Sequence, residues 1–200
     1  MRQYDLFESI EKQESLDIIN DQIRACKRCR LNVTRKHALI GEGDINANIM
    51  FVALSPGLKE DSQNQMFIGP SGQVFNRLLS AAGIDRNLVF MTNLVKCMLP
   101  KNRKPKMDEI EACGQFLNKE ISIIHPKVIV PLGSYATNAI LTKYHTDPQS
   151  LGMSFSNITG KLLSINNTKV FPLPHPAALL YNPSFEQNTI EKYKKLKTFL

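Results

Sequence analysis

Ile49-Met50-Phe51-Val52-Ala53-Leu54-Ser55-Pro56-Gly57 begins as an unbroken apolar run and closes on a tight Pro-Gly turn. A run this short, rich in β-branched and aromatic residues and bounded by turn residues, predicts a strand buried on both faces, as in a parallel sheet. Three more runs repeat the pattern at Leu88–Thr92, Val128–Leu132 and Val170–Leu173. Helical patterns lie between them. Gln73–Ala82 carries Val74, Leu78 and Leu79 on one face and stops at Gly83. Met107–Ile124 carries Ile110, Phe116, Leu117 and Ile121, and Ser134–Tyr144 opens just after Gly133. Strands alternating with helices predict an α/β fold, a three-layer α/β/α sandwich around a central four-stranded, mainly parallel sheet. In such sheets ligands bind at the carboxyl ends of the strands.

Outward from this core, residues 1–25 read as an N-terminal helical segment, with Ile10, Leu16, Ile19 and Ile23 at roughly helical spacing. The tail carries Ile190, Tyr193, Leu196 and Phe199 at the same spacing, so its lysines read as the wet side of a docked helix. Residues 1–200 suit one domain, large enough to bury a core without disulfide staples. An apolar share of 42% and a charged share of 22% are those of a soluble globular protein. No apolar run approaches the ~20 residues that span a bilayer, and the N-terminus lacks the pattern of a signal peptide. A cytoplasmic, membrane-free protein is expected. The net charge of +7 is compatible with a nucleic-acid partner without requiring one. The basic loop Lys101-Asn102-Arg103-Lys104-Pro105-Lys106 could track phosphates or serve as a solvated linker.

The chain has four cysteines, Cys26 and Cys29 as a C-x2-C pair and Cys97 and Cys113 far downstream. In a reducing compartment that set points to metal or redox chemistry before disulfides. Four thiolates suit tetrahedral zinc or an iron–sulfur cluster equally well, and spacing does not separate the two. Buried core cysteines are the plainer alternative.

The loops after the strands hold the remaining chemistry. Glu60-Asp61 follows the first Pro-Gly turn, and Phe67-Ile68-Gly69-Pro70-Ser71-Gly72-Gln73 leads into a helix whose first N–H groups could meet a phosphate. The second strand runs into Asn93, whose carboxamide can read a base edge or merely cap a turn. The fourth ends at His175, boxed between Pro174 and Pro176. Each feature has an ordinary structural reading, but together they converge on one rim, which is what an active site needs.

The ordered set Cys-x2-Cys, Gly41-Glu42-Gly43, Pro56-Gly57, Phe67-Ile68-Gly69-x-x-Gly72-Gln73, Asn93-Leu94-Val95-Lys96-Cys97, Cys113, Leu132-Gly133 and His175-Pro176-x-x-Leu179-Leu180 resembles the uracil-DNA glycosylase superfamily, most closely its iron–sulfur family 4 branch. The resemblance runs from Cys26 to about Tyr181. It implies a [4Fe–4S] cluster of structural role on Cys26, Cys29, Cys97 and Cys113. It implies a monomeric enzyme that flips a uracil or another deaminated base out of DNA and hydrolyses its glycosidic bond. Phe67 would stack on the base, Asn93 would bond its Watson–Crick edge, and His175 would donate to O2 as charge develops there. Ser71 and Ser134 would grip phosphates, and Leu179 would fill the gap left in the helix.

Two departures stand out. The first turn reads Ala53-Leu54-Ser55-Pro56-Gly57, with apolar Leu54 where family 4 proteins carry an acid. Water activation would then fall to Glu60 or Asp61, with Ser55 orienting. Gly57 stands where the strictly uracil-specific branch has a blocking Tyr, which predicts tolerance of 5-substituted pyrimidines or other deaminated bases such as hypoxanthine. Two other readings remain: a catalytically silent iron–sulfur module that binds single-stranded or damaged DNA, and a zinc-bound nucleotide-handling domain.

Overall fold

The computed structural model describes residues 3–144 and 154–200, so the first two residues of the expected N-terminal segment lie outside it. In chain order the strands are β1 (Glu42–Gly43), β2 (Ile49–Ala53), β3 (Val89–Asn93), β4 (Val128–Pro131), β5 (Leu163–Ile165) and β6 (Thr168–Val170). The helices are α1 (Gln3–Arg24), α2 (Leu58–Gln63), α3 (Pro70–Ala82), α4 (Met107–Ile124), α5 (Ser134–Lys143), α6 (Phe155–Ile158), α7 (Ala178–Tyr181) and α8 (Glu186–Lys194).

The strands form one sheet in the order β1-β3-β2-β4-β6-β5. Its four inner strands are parallel; three coincide with the apolar runs, while the fourth run, Val170–Leu173, meets β6 only at Val170 and continues beside β4 through Phe171 N–H to Ile129 O, Leu173 N–H to Pro131 O and a lone Leu132–Leu173 bridge. Two short antiparallel strands extend it on either side, β1 on β3 and β5 on β6, which makes six strands where four were expected. The β5–β6 hairpin turns through Asn166 and Asn167, both at positive φ (44° and 65°). Asn tolerates that conformation, which tight two-residue hairpins demand at both central positions.

Alternate residues of β2 enter two different cores. Met50 and Val52 pack with Leu16, Ile19 and Ile23 of α1, Phe116 of α4 and Ile140 of α5. Ile49, Phe51 and Ala53 pack with Val74, Phe75 and Leu78 of α3 and with Tyr193 of α8. The strand is therefore apolar throughout, since both of its faces are covered. The C-terminal segment docks as its periodicity predicts, with Tyr193 and Leu196 wholly buried. Ile10 does not join the core and lies exposed on α1. No described helix is long and apolar enough to cross a membrane.

Candidate active site

β2 and β3 are parallel and in register, so Ala53 and Asn93 end side by side at one edge of the sheet. The loops leaving that edge enclose a cavity of about 430 Å³, within the ~300–1,000 Å³ range of ligand sites. Leu54, Ser55 and Gly57 from the first turn line it, with Glu60 of α2 and Phe67. Ser71 at the start of α3, Asn93 and His175 complete the expected set.

Phe67 is locked from behind. Its ring stacks on Phe75 of α3 with centroids 4.2 Å apart, and its backbone adopts φ 55°, uncommon for a bulky residue. A side chain at Gly72 would overlap the carbonyl of Phe67. Gly72 thus serves close backbone packing. The N–H at the N-cap of α3 is also taken, because Gly69 donates to Glu60 Oε1 at 2.7 Å. Glu60 Oε2 fills the space that a side chain at position 57 would enter, 2.6 Å from where a Cβ would stand.

His175 follows the Leu132–Leu173 bridge that lies beyond β6, and Ala177 N–H donates to its Nδ1 at 3.1 Å. A ring accepting at Nδ1 carries its neutral-state proton on Nε2. Burial holds its pKa below the ordinary 6.5, which favours that neutral form. Gly133, at φ 85°, lets the start of α5 pass close by, since a Cβ there would lie 3.2 Å from His175 Cβ.

The four cysteines are free thiols that line a second, smaller pocket under α4. Arg35 donates to Cys97 Sγ at 3.0 Å and to the carbonyls of Cys26 (2.7 Å) and Arg24 (3.1 Å), lacing the two ends of the set together. Lys96 N–H donates to Cys113 Sγ at 3.2 Å. Burial pushes both downstream thiols up, Cys113 to about 11. The Lys96 ammonium runs the other way, to Glu120 Oε2 at 2.6 Å and to the Thr92 hydroxyl at 2.5 Å. Both side chains of that ion pair are 1% exposed, and Glu120 Oε1 has no partner among the described residues.

The family model described as "Uracil DNA glycosylase superfamily" matches residues 40–197. The chain belongs to the uracil DNA glycosylase superfamily. It is 39% identical to a type-4 uracil-DNA glycosylase of Saccharolobus solfataricus, over 94% of this chain and 87% of that protein. It is 40% identical to the type-4 enzyme of Sulfurisphaera tokodaii, over 92% of this chain and 84% of that one. With the type-4 enzyme of Archaeoglobus fulgidus the identity is 34%, over 92% of each chain.

Within this superfamily site, two expected residues, Asp61 and Leu179, lie elsewhere than anticipated. Asp61 is turned away from the cavity. Its carboxylate accepts from the backbone N–H of Lys36 (3.0 Å) and of His37 (3.2 Å), because adjacent residues of a helix point about 100° apart. Leu179 is 5% exposed and belongs to the α3-side core, while Leu180 (47%) and Tyr181 (89%) are the exposed apolar residues at the cavity mouth. Ser134 is exposed at the head of α5, next to Gly133 but outside the cavity lining. The basic loop contributes Asn102 and Arg103 to the cavity wall. Arg103 is committed, since its guanidinium grips both oxygens of buried Glu109 (2.5 and 2.8 Å) and holds that carboxyl below its usual range. Met66, with its sulfur 3.1 Å from Asn93 Nδ2, was not anticipated; no motif marks it.

Proposed function

We propose that this glycosylase hydrolyses the N-glycosidic bond of uracil, or of another deaminated base, flipped out of DNA, and so initiates base excision repair. The observation that carries the reading is the convergence of Phe67, Asn93 and a neutral His175 on one cavity at the sheet's carboxyl edge. Phe67 stacks on the base and Asn93 bonds its polar edge. As the bond from C1′ to the base lengthens, the electron pair leaves with the base and charge gathers on its carbonyl oxygens. The Nε2–H of His175 donates to O2 and stabilises that charge without transferring a full positive charge to the site. Water, oriented by the Ser55 hydroxyl and the free Oε2 of Glu60, adds at C1′ and gives its proton to that carboxylate, while the base departs as the anion held by His175 and takes up a proton after release. No lysine lines the cavity among the described residues, which supports hydrolysis without an imine step. Leu180, in place of Leu179, is the wedge that enters the gap in the stack.

The same reading gives Cys26, Cys29, Cys97 and Cys113 a [4Fe–4S] cluster. Four thiols free of disulfides line one pocket, and N–H donors from Arg35 and Lys96 already aim at two of the sulfurs, as cluster ligands favour. When bound, the group supplies a rigid tie between the helical N-terminal segment and the loop that presents Asn93.

The test is a panel of oligonucleotides, each with one uracil, 5-substituted uracil, hypoxanthine or xanthine, assayed for alkali-labile abasic sites. The purified protein should be brown and release uracil, and Asn93→Ala and His175→Ala should each lower the rate at least ~100-fold. Wild-type protein that binds these strands and leaves no abasic site would overturn the enzymatic reading.

A further inference from the structure

The amide of Asn93 carries an ambiguity that only its neighbours can resolve. Its oxygen accepts and its NH2 donates, and a half-turn of the side chain exchanges them. Uracil presents an acceptor at O4 and a donor at N3–H; cytosine presents a donor at N4 and an acceptor at N3. One orientation of the amide therefore reads uracil, and the other reads cytosine.

Asn93 Nδ2 donates to Met66 Sδ at 3.1 Å, and both residues are buried. A thioether has no hydrogen to give, so it can partner only the NH2 end. The turned amide would set its oxygen against the sulfur, lone pair to lone pair. Among the described residues no donor reaches Asn93 Oδ1. The sulfur is thus the protein contact that decides which end of the amide faces which way.

Met66 is itself gripped at both backbone polar groups. Its N–H donates to Glu42 Oε1 at 2.9 Å, and its carbonyl accepts from Arg86 Nη2 at 2.9 Å. Arg86 is braced in turn on Asn76 Oδ1, and Glu42 pairs with Met91 in the β1–β3 ladder, two residues before Asn93. The clamp and the residue it orients therefore hang from the same strand.

We propose that Met66 is a specificity-determining positioning residue, whose sulfur fixes the Asn93 amide in the uracil-reading orientation while Glu42 and Arg86 hold Met66 in place. This rests on the glycosylase reading above and names how that site rejects cytosine.

The experiment measures equilibrium binding to duplexes carrying one 2′-fluoro-deoxyuridine or one 2′-fluoro-deoxycytidine, in which the fluorine withdraws electrons from C1′ and suppresses cleavage. Wild type should prefer the uracil duplex to the cytosine duplex. Met66→Leu keeps the volume and removes the acceptor; the ratio of the two dissociation constants should narrow about tenfold, equivalent to ~1.4 kcal/mol. Met66→Gln supplies an amide that can turn to meet either end of Asn93, so there too the ratio should stay narrowed. A ratio unchanged from wild type in Met66→Leu or in Met66→Gln overturns the proposal. Should Met66→Leu not fold, neutron diffraction from wild-type crystals decides: Asn93 deuterons facing the sulfur support it, and the oxygen facing the sulfur overturns it. If wild type shows no preference for the 2′-fluoro-deoxyuridine duplex over an undamaged one, it is the glycosylase reading that fails.

Discussion

Replacing Lys96 with methionine should cost about 3–5 kcal/mol, because it strands the Glu120 carboxylate in a dry interior. Both partners of this pair are 1% exposed at 2.6 Å, and one oxygen of Glu120 already lacks a partner. Glu120→Leu should cost a similar amount by stranding the ammonium, to which the Thr92 hydroxyl would be the one hydrogen-bond partner left among the described residues. The double variant Lys96→Met/Glu120→Leu removes both charges and fills the volume with carbon, which is neutral or mildly stabilising in comparable sites. In a chain of this size each kcal/mol moves the melting temperature by about 2–4 °C, so each single variant should melt roughly 6–20 °C lower. Guanidinium unfolding of the four proteins, with iron content measured for each, gives the coupling energy directly. Single variants that each cost under about 1 kcal/mol, or a double variant that costs their sum, would refute the buried pair as a coupled unit.

Three further outcomes follow from the site. Burial holds His175 below its ordinary 6.5, so the folded chain keeps the ring neutral where the unfolded chain begins to bind a proton. Excision should therefore hold through pH 6.5 and fall only below it, and stability should be lost as pH drops from 6.5 toward the lowered value; a rate already halved above 6.5 would contradict this. Asp61→Ala uncaps two backbone N–H groups and should cost about 1–3 kcal/mol, while kcat per folded molecule stays within about twofold; a large kcat loss at unchanged melting temperature would return Asp61 to the chemistry. Gly72→Ala drives a methyl into the Phe67 carbonyl, so uracil-DNA affinity should fall at least ~10-fold through displacement of the stacking ring, and unaltered binding would show that the ring is not held this way.

The inner sheet was legible because its strands are covered on both faces and so read as unbroken apolar runs. The edge strands were not. Glu42–Gly43 is two residues long and half-buried, too short to show a period, and Leu163–Ile165 has little of the apolar continuity of the inner four. Asn166-Asn167 was the available signal for the second, a tight hairpin turn written in residue types that tolerate positive φ. At the site, Phe67, Asn93 and His175 were readable because each stands at a strand end or a turn. Neighbouring residues were harder to tell apart. Glu60 and Asp61 are equally acidic, and Leu179 and Leu180 are identical, yet helical rotation sends one member of each pair to the cavity and the other elsewhere. Met66 left no trace in the sequence, since a methionine's role as an acceptor depends on which amide lies beside it.

The brevity of β1 and β5 bears on how the molecule meets other chains. Two and three residues of edge leave almost no row of open N–H and C=O groups for a foreign strand to copy. Crowding such molecules together should not seed fibrils from the sheet, and peptides that bind by adding a strand find no purchase there. Side chains are what the surface offers instead, among them Phe7, Ile10 and Ile18, exposed on one stripe of α1 opposite its buried one.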